Sequence, residues 1–218
     1  MSLTVPGTRE EVDVEDGAKR RQILDGARAV FLADGFDGAS MNEIARAARV
    51  SKGTLYVYFP NKEELFAALI RAEKREQAEQ TCQLDFDDPD VRGVLMGFGE
   101  RLLDRMLRPS SIAHLRTVAA VAQKFPSIGR AFYEAGPLYG HDRLAEYLGR
   151  QTAAGRIAID DPSLAAWLFS DMCKSIHMLP VLLAVSEAPD ATRRRAHVAA
   201  VLAVFLRAYP LAGPTPGA

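Results

Sequence analysis

The chain has 218 residues, 48% of them hydrophobic, and a formal net charge of −1; it is long enough for one or two packed domains, and its composition excludes global disorder. So balanced a charge exerts no bulk attraction on a polyanion, so any basic surface must be local. Two cysteines, Cys82 and Cys173, are too few and too far apart for a disulfide framework, and the longest uncharged run, Ser175 to Ser186, is too short for a bilayer and contains Pro180. The first residues lack the charged-then-apolar pattern of an export signal, so the expectation is a cytoplasmic protein with no membrane partner.

The hydrophobic pattern is helical throughout, with no alternating strand. Residues 1 to 17 read as a loose tail. A first helix is expected from about Ala18 to Asp34, with Ile23, Leu24, Ala27, Val30 and Phe31 on one face. Gly35 supplies the left-handed residue that ends it, and Phe36 is placed to fold back. Ser40-Met41-Asn42-Glu43 is a capping box opening a short second helix. Ser51 caps a third helix that Phe59-Pro60 terminates near Tyr58. Asn61 and Glu64 open a longer helix running to about Gln80, with Leu65, Phe66, Leu69 and Ala72 inward.

A polar break at Asp85 to Asp90 separates this region from a larger helical one, expected over residues 85–208. Its helices should start at Asp88-Pro89, Ser110 or Ser111, Ser127, Asp161-Pro162 and Asp190, with a kink at Gly136-Pro137. Ser163 to Val185 and Arg195 to Ala208 read as long helices apolar on nearly all sides. Residues 209–218 read as a frayed tail.

The fold class is therefore all-α: a three-helix unit over residues 18–64, then a larger helical domain. Three short helices, the last two joined by a tight turn, point to a helix-turn-helix. Leu55 and Phe59 anchor the third helix, which leaves Ser51, Lys52, Thr54, Tyr56 and Tyr58 for other faces. Aromatics exposed beside a cation suit contacts to sugar, phosphate and thymine methyl, and Gly53 lets something approach the backbone. From Ala18 to Lys62 the cations are Lys19, Arg20, Arg21, Arg28, Arg46, Arg49, Lys52 and Lys62 against Asp25, Asp34, Asp37 and Glu43, a net of +4. One small basic unit on an otherwise acidic chain is the charge distribution of a DNA reader.

The run Met41 to Leu65, MNEIARAARVSKGTLYVYFPNKEEL, together with Phe31-Leu32-Ala33-Asp34-Gly35-Phe36 upstream, resembles the N-terminal signature of tetracycline-repressor (TetR) type regulators. The likeness covers roughly Ala18 to Ile70. It departs at Arg49, where the family often has glycine; a positive φ there would cost arginine about 1 kcal/mol. The resemblance implies a transcriptional repressor without enzymatic activity or cofactor, its partner a roughly palindromic double-stranded DNA operator. It implies that Ser51, Lys52, Gly53, Thr54 and Tyr56 face the major groove and that Ser40, Tyr58 and Lys62 contact phosphate. His114 to Phe125-Pro126, Gly155-Arg156-Ile157 and Asp161-Pro162 resemble the more divergent ligand domain of efflux-type members, which implies a small, mostly apolar effector.

Residues of the larger domain leave two readings open. Phe98, Leu102, Met106, Leu115, Val118, Trp167, Met172 and His177 either line an effector cavity or fill a core in a domain that only dimerises. The two apolar C-terminal helices are expected to pair with a second copy, through Leu168, Ile176, Val198, Val201, Leu202 and Phe205. An enzyme would have to use Cys173 and His177, four apart on one helix face, but no orienting acid or oxyanion motif accompanies them. The four histidines, His114, His141, His177 and His197, lack metal-ligand spacing, so no metal is expected.

Overall fold

The structure is a computed structural model describing residues 9–211. It is helical, and the described residues fall into two compact units: one comprises the chain up to Ala72 plus Val121–Ala131, the other Glu73–Ala120 and the chain from Phe132 onward.

In the N-terminal unit, α1 spans Arg9–Gly38 with a kink at Gly35, whose φ of 69° and ψ of −178° only glycine adopts readily. The helix therefore begins at Arg9 rather than Ala18, and residues 1–8 of the expected tail lie outside the described residues. Residues 10–16 carry no apolar period that would announce this extension. Ile23, Leu24, Ala27, Val30 and Phe31 are all buried. Phe36 folds back as expected, its ring 6.2 Å from Phe31 and 5.1 Å from Phe66. Within the same unit Phe125 packs on Phe36 at 5.2 Å.

α2 (Met41–Ala47) and α3 (Lys52–Tyr58) follow. Their turn is a Schellman motif: Val50 N–H reaches the Ala45 carbonyl at 3.0 Å and Arg49 N–H that of Arg46 at 3.1 Å. Arg49 sits at φ 53°, so the left-handed residue of the turn is an arginine. The Gln22 amide donates to the Ala48 carbonyl at 2.7 Å and fixes α1 to the end of α2. The helices touch at Gly26, where a Cβ would lie 2.5 Å from the Ala48 backbone nitrogen.

α4 (Lys62–Thr81) contributes its first half to this unit and its second half to the other. The chain continues with α5 (Val91–Met106), α6 (Pro109–Val121), α7 (Pro126–Tyr133), α8 (Tyr139–Ala153), α9 (Pro162–Lys174), α10 (Met178–Leu182) and α11 (Ala191–Ala208); most of α7 belongs to the N-terminal unit, and the other helices, Val121 apart, form the C-terminal one. α5 starts later than expected. Asp88 caps its own turn by accepting from Asp90 N–H at 2.8 Å, and Asp90 then caps the helix through Gly93 N–H at 2.9 Å. At Gly136-Pro137 the chain makes a π-helical turn, Glu134–Leu138, between α7 and α8.

Ser163 to Val185 is not one long helix. It breaks at Ser175–His177, and Pro180 lies in the short α10 that follows. The last residues are also tied down more than a frayed tail would be: Ala158 N–H donates to the Pro210 carbonyl at 3.0 Å, Ile157 bridges Leu211, and Tyr209 packs on Phe205. Residues 212–218 lie outside the described residues.

The core of this unit joins Leu95 and Phe98 to Tyr147, Leu148, Phe169, Cys173, Leu202 and Phe205. Val198 belongs to a neighbouring cluster with Leu103, Leu107, Ile112 and Val181. Val198, Val201, Leu202 and Phe205 are thus buried within their own chain and cannot form the expected contact with a second copy. Helical period shows that α11 has an apolar stripe, but not whether the stripe faces inward or a partner.

The two backbone positions around the α2–α3 turn should respond with opposite sign. Gly26→Ala forces α1 and α2 apart and is expected to cost about 1–3 kcal/mol. Arg49→Gly relieves the left-handed residue and is expected to add about 1 kcal/mol. Urea midpoints of the two variants against wild type check both signs.

Candidate nucleic-acid interface and effector cavity

Residues 40–58 build a reading head from local chemistry. The Ser40 hydroxyl accepts Glu43 N–H at 3.3 Å, and the Glu43 carboxylate accepts Ser40 N–H at 3.1 Å. The bond from the Ser40 side chain, then that from its backbone, hold the Glu43 carboxyl below the usual carboxylate range. Ser51 does the same for α3, taking Thr54 N–H at 2.9 Å. Leu55 and Phe59 alone anchor α3 inward, at 0% and 3% exposure.

The remaining side chains of α3 are open. Ser51, Lys52, Gly53 and Tyr56 are exposed and Thr54 is half-buried. The Lys52 ammonium lies 6.0 Å from the Tyr56 ring centre. Val57, 83% exposed, is an outward apolar residue that the sequence reading did not single out. A Cβ on Gly53 would meet nothing nearer than the Ser51 hydroxyl at 3.8 Å, so nothing inside the fold demands glycine there.

The three residues assigned to phosphate already have partners. Besides the box, Tyr58 donates to the Asp16 carboxylate at 2.6 Å. Lys62 donates to the carbonyls of Ala39 at 3.0 Å and Asp37 at 3.3 Å, above the Phe36 ring.

In the C-terminal unit a cavity of about 230 Å³ lies among α4, α5, α6, α8, α9 and the π-turn. Phe98, Leu102, Met106, Leu115 and Trp167 line it, whereas Val118, Met172 and His177 do not. Val118 is buried elsewhere, and Met172 packs half-buried against the main core. His177 leaves the helix face because α9 ends before it; its ring meets His197 at 4.9 Å, and burial followed by repulsion from His197 and Arg193 lowers its pKa.

Sequence reasoning missed the polar side of the wall: Lys74, Gln77 and Thr81 from α4, and His141 from α8. Lys74 is 7% exposed, donates to Gln77 Oε1 at 3.1 Å and lies over the Phe132 ring at 4.7 Å. His141 stacks on Trp167 at 4.1 Å, and its Nε2 lies 3.1 Å from the Ser163 hydroxyl. The readable signal was the stripe Phe66, Ile70, Lys74, Ala78, in which a lysine occupies a buried apolar register.

Comparison with known proteins agrees with this geometry. The family model for bacterial regulatory proteins of the tetR family matches residues 23–69, and that for the AefR-like transcriptional repressor C-terminal domain matches residues 93–210. The HTH-type transcriptional repressor Rv1474c of Mycobacterium tuberculosis is 30% identical over 149 residues, 67% of this chain and 73% of that one. A TetR-family regulator from Mesorhizobium loti MAFF303099 superposes with a TM-score of 0.80 at 29% identity, over 93% of this chain and 99% of that one. The Flavonoid-responsive Regulator FrrA superposes with a TM-score of 0.76 at 33% identity, over 93% of this chain and 100% of that one. Fold and reading head define a helix-turn-helix transcriptional regulator. The chain belongs to the TetR family and is a DNA-binding transcriptional repressor. Among the described residues no helix is long and apolar enough to cross a membrane.

The thiols are packed rather than poised. Cys173 is fully buried, and a Cβ on Gly99 of α5 would lie 3.3 Å from its sulfur. The nearby imidazole is that of His197, whose Nε2 lies 3.0 Å from the Cys173 carbonyl. Burial pushes the Cys82 thiol up to about 11 and the Cys173 thiol up to about 12. Both are therefore neutral in the fold. The stability they lend is whole below the ordinary thiol range and falls as pH rises through it toward those values. Iodoacetamide at mildly alkaline pH is expected to leave both cysteines of the native protein unmodified and to label both in denaturant, read by intact mass.

Proposed function

We propose that this repressor binds a roughly palindromic double-stranded operator as a homodimer and is released by a small, mostly apolar effector held in the cavity. It carries out no catalytic step, and it works in the cytoplasm beside the chromosome. The observation that carries the DNA reading is the outer face of α3, where Lys52, Gly53, Tyr56 and Val57 are exposed while the fold uses only Leu55 and Phe59. On this reading Ser51, Lys52, Gly53, Thr54 and Tyr56 enter the major groove, with Val57 available to a thymine methyl. Ser40, Tyr58 and Lys62 add phosphate contacts at its edge. Lys52→Ala is expected to weaken binding to a fragment selected by the wild-type protein by about 1–3 kcal/mol, and to lower the salt slope by about 1. Unchanged gel-shift titrations, with an unchanged thermal melt, remove α3 as the recognition helix.

The effector reading rests on the cavity's mostly apolar lining and on the flavonoid-responsive neighbour, which together favour a compact aromatic compound. α4 contributes residues to both units, so it is the segment through which occupancy would alter DNA binding; such couplings are typically about 1–3 kcal/mol.

Dimerisation is assigned to the outer faces of α9 and α10. Leu164 and Leu168 of α9, Leu179 of α10, and Ile176 and Leu183 in the turns after α9 and α10 are exposed, with Val204 exposed on α11. A monomer would leave these to water. The wild type is expected to sediment as a dimer at micromolar concentration, and Leu168→Arg combined with Ile176→Arg as a monomer. A dimeric double variant would move the interface elsewhere.

A further inference from the structure

The cavity holds a cation for which no described residue supplies a salt-bridge partner. Lys74 is buried to 7% exposure on α4, and Gly136 of the π-turn packs against its stem, where a Cβ would meet Lys74 Cβ at 3.7 Å. An ammonium has three donors. Gln77 takes one at 3.1 Å, the Phe132 ring lies 4.7 Å away, and among the described residues no carboxylate forms a salt bridge with Lys74. Its neighbour Glu73 is directed to His114, at 3.7 Å. The other lysine of the wall, Lys174, is matched by Asp171 at 2.5 Å. A second polar group belongs to the same wall: His141, 7% exposed, has its Nδ1 buried with no hydrogen-bond partner among the described residues, while Nε2 is engaged with Ser163. Burying a charge without a partner is costly, and so is leaving a buried ring nitrogen unpaired.

We propose that the cavity takes an aromatic molecule bearing one negative charge, a carboxylate or an acidic phenolate. Its anion pairs with Lys74, its ring system lies along Trp167, Phe98 and Phe132, and a further polar atom meets His141 Nδ1. The proposal rests on the reading of this cavity as the effector site and narrows the effector to an aromatic acid. Desolvation already lowers the Lys74 pKa against the raising influence of Glu73, and a bound anion would restore it. Leu102, Met106 and Leu115 give the rings apolar wall, while Arg105, Ser111 and Ser170 also line the cavity.

The test is isothermal titration of the full chain with 2-naphthoate and with its neutral isostere 2-naphthamide, on wild type and on Lys74→Met. Naphthoate is expected to bind wild type roughly tenfold or more tightly than naphthamide, as a charge-assisted contact allows. In Lys74→Met that preference should vanish or invert while naphthamide binding persists, and Lys74→Arg should recover it. Equal affinity of wild type for both compounds overturns the charge assignment, as does a preference that survives in Lys74→Met. The effector reading fails separately: naphthoate that binds with the predicted preference yet leaves operator affinity unchanged keeps the anion site and removes its role in release. Saturating concentrations at which neither compound binds overturn both.

Discussion

A helix of seven residues does not persist in water unaided, because nucleation consumes more conformational entropy than two turns of hydrogen bonds return. Much of the N-terminal unit follows from having to hold such a helix by one edge. Ser51 supplies the missing acceptor at its start, Leu55 and Phe59 hold its inner side, and Phe59-Pro60 stops it before it can bury more. The load passes to α2 through the Schellman turn and from α2 to α1 through the Gly26 contact and the Gln22 bond to Ala48. Phe31, Phe36, Phe66 and Phe125 then form an aromatic cluster, with neighbouring rings 4.6–6.2 Å apart. An inner edge held this firmly permits an outer face with no role in stability.

The C-terminal unit meets the opposite requirement, since it must pack tightly around a space. Interiors close to crystal density do not keep a void unless rigid contacts surround it. α5 shows how the two are reconciled. At Gly99 it presses so closely on α11 and α9 that a Cβ would lie 2.6 Å from a Val198 methyl, while Phe98, Leu102 and Met106 of the same helix line the cavity. Across the cavity, Gly136 of the π-turn lies beside Lys74, where a Cβ would make ordinary contact with the lysine stem at 3.7 Å. Away from the cavity, the fully buried Gln151 donates to the Phe86 carbonyl and accepts from Arg156.

How legible each part was in the sequence follows from how local its chemistry is. Caps at Ser40, Ser51, Asp161 and Asp190, the left-handed Gly35 and the fold-back of Phe36 depend on residues within a few positions, and all stand as read. Five of the eight expected cavity residues line it because α5, α6 and α9 present them at helical period; His177 does not, because the break after Lys174 cannot be read from an apolar run. The inward stripe of α11 was legible as a stripe, yet Val198 and Phe205 face their own core, a matter of which helices surround them. Lys74 and His141 were missed for a related reason: a lysine or histidine on an apolar register reads as an interruption until the opposite wall is known.

α4 is one helix with two environments along its length. In the first half Leu65, Phe66 and Leu69 are buried, Phe66 against Phe31 at 4.6 Å, and Lys62 is held by the carbonyls of Asp37 and Ala39. In the second half Lys74, Gln77, Ala78 and Thr81 form cavity wall. On the proposed reading an effector shifts the repressor only by the difference in its affinity for two positions of this helix. Apolar contacts discriminate such positions weakly, because burial is non-directional and survives small shifts in part. A charge pair discriminates more steeply, because its energy depends on separation and on the alignment of the donors. An anion on Lys74 is thus the contact by which a small ligand would favour one position of α4 most strongly, and the apolar wall sets how tightly it binds in either.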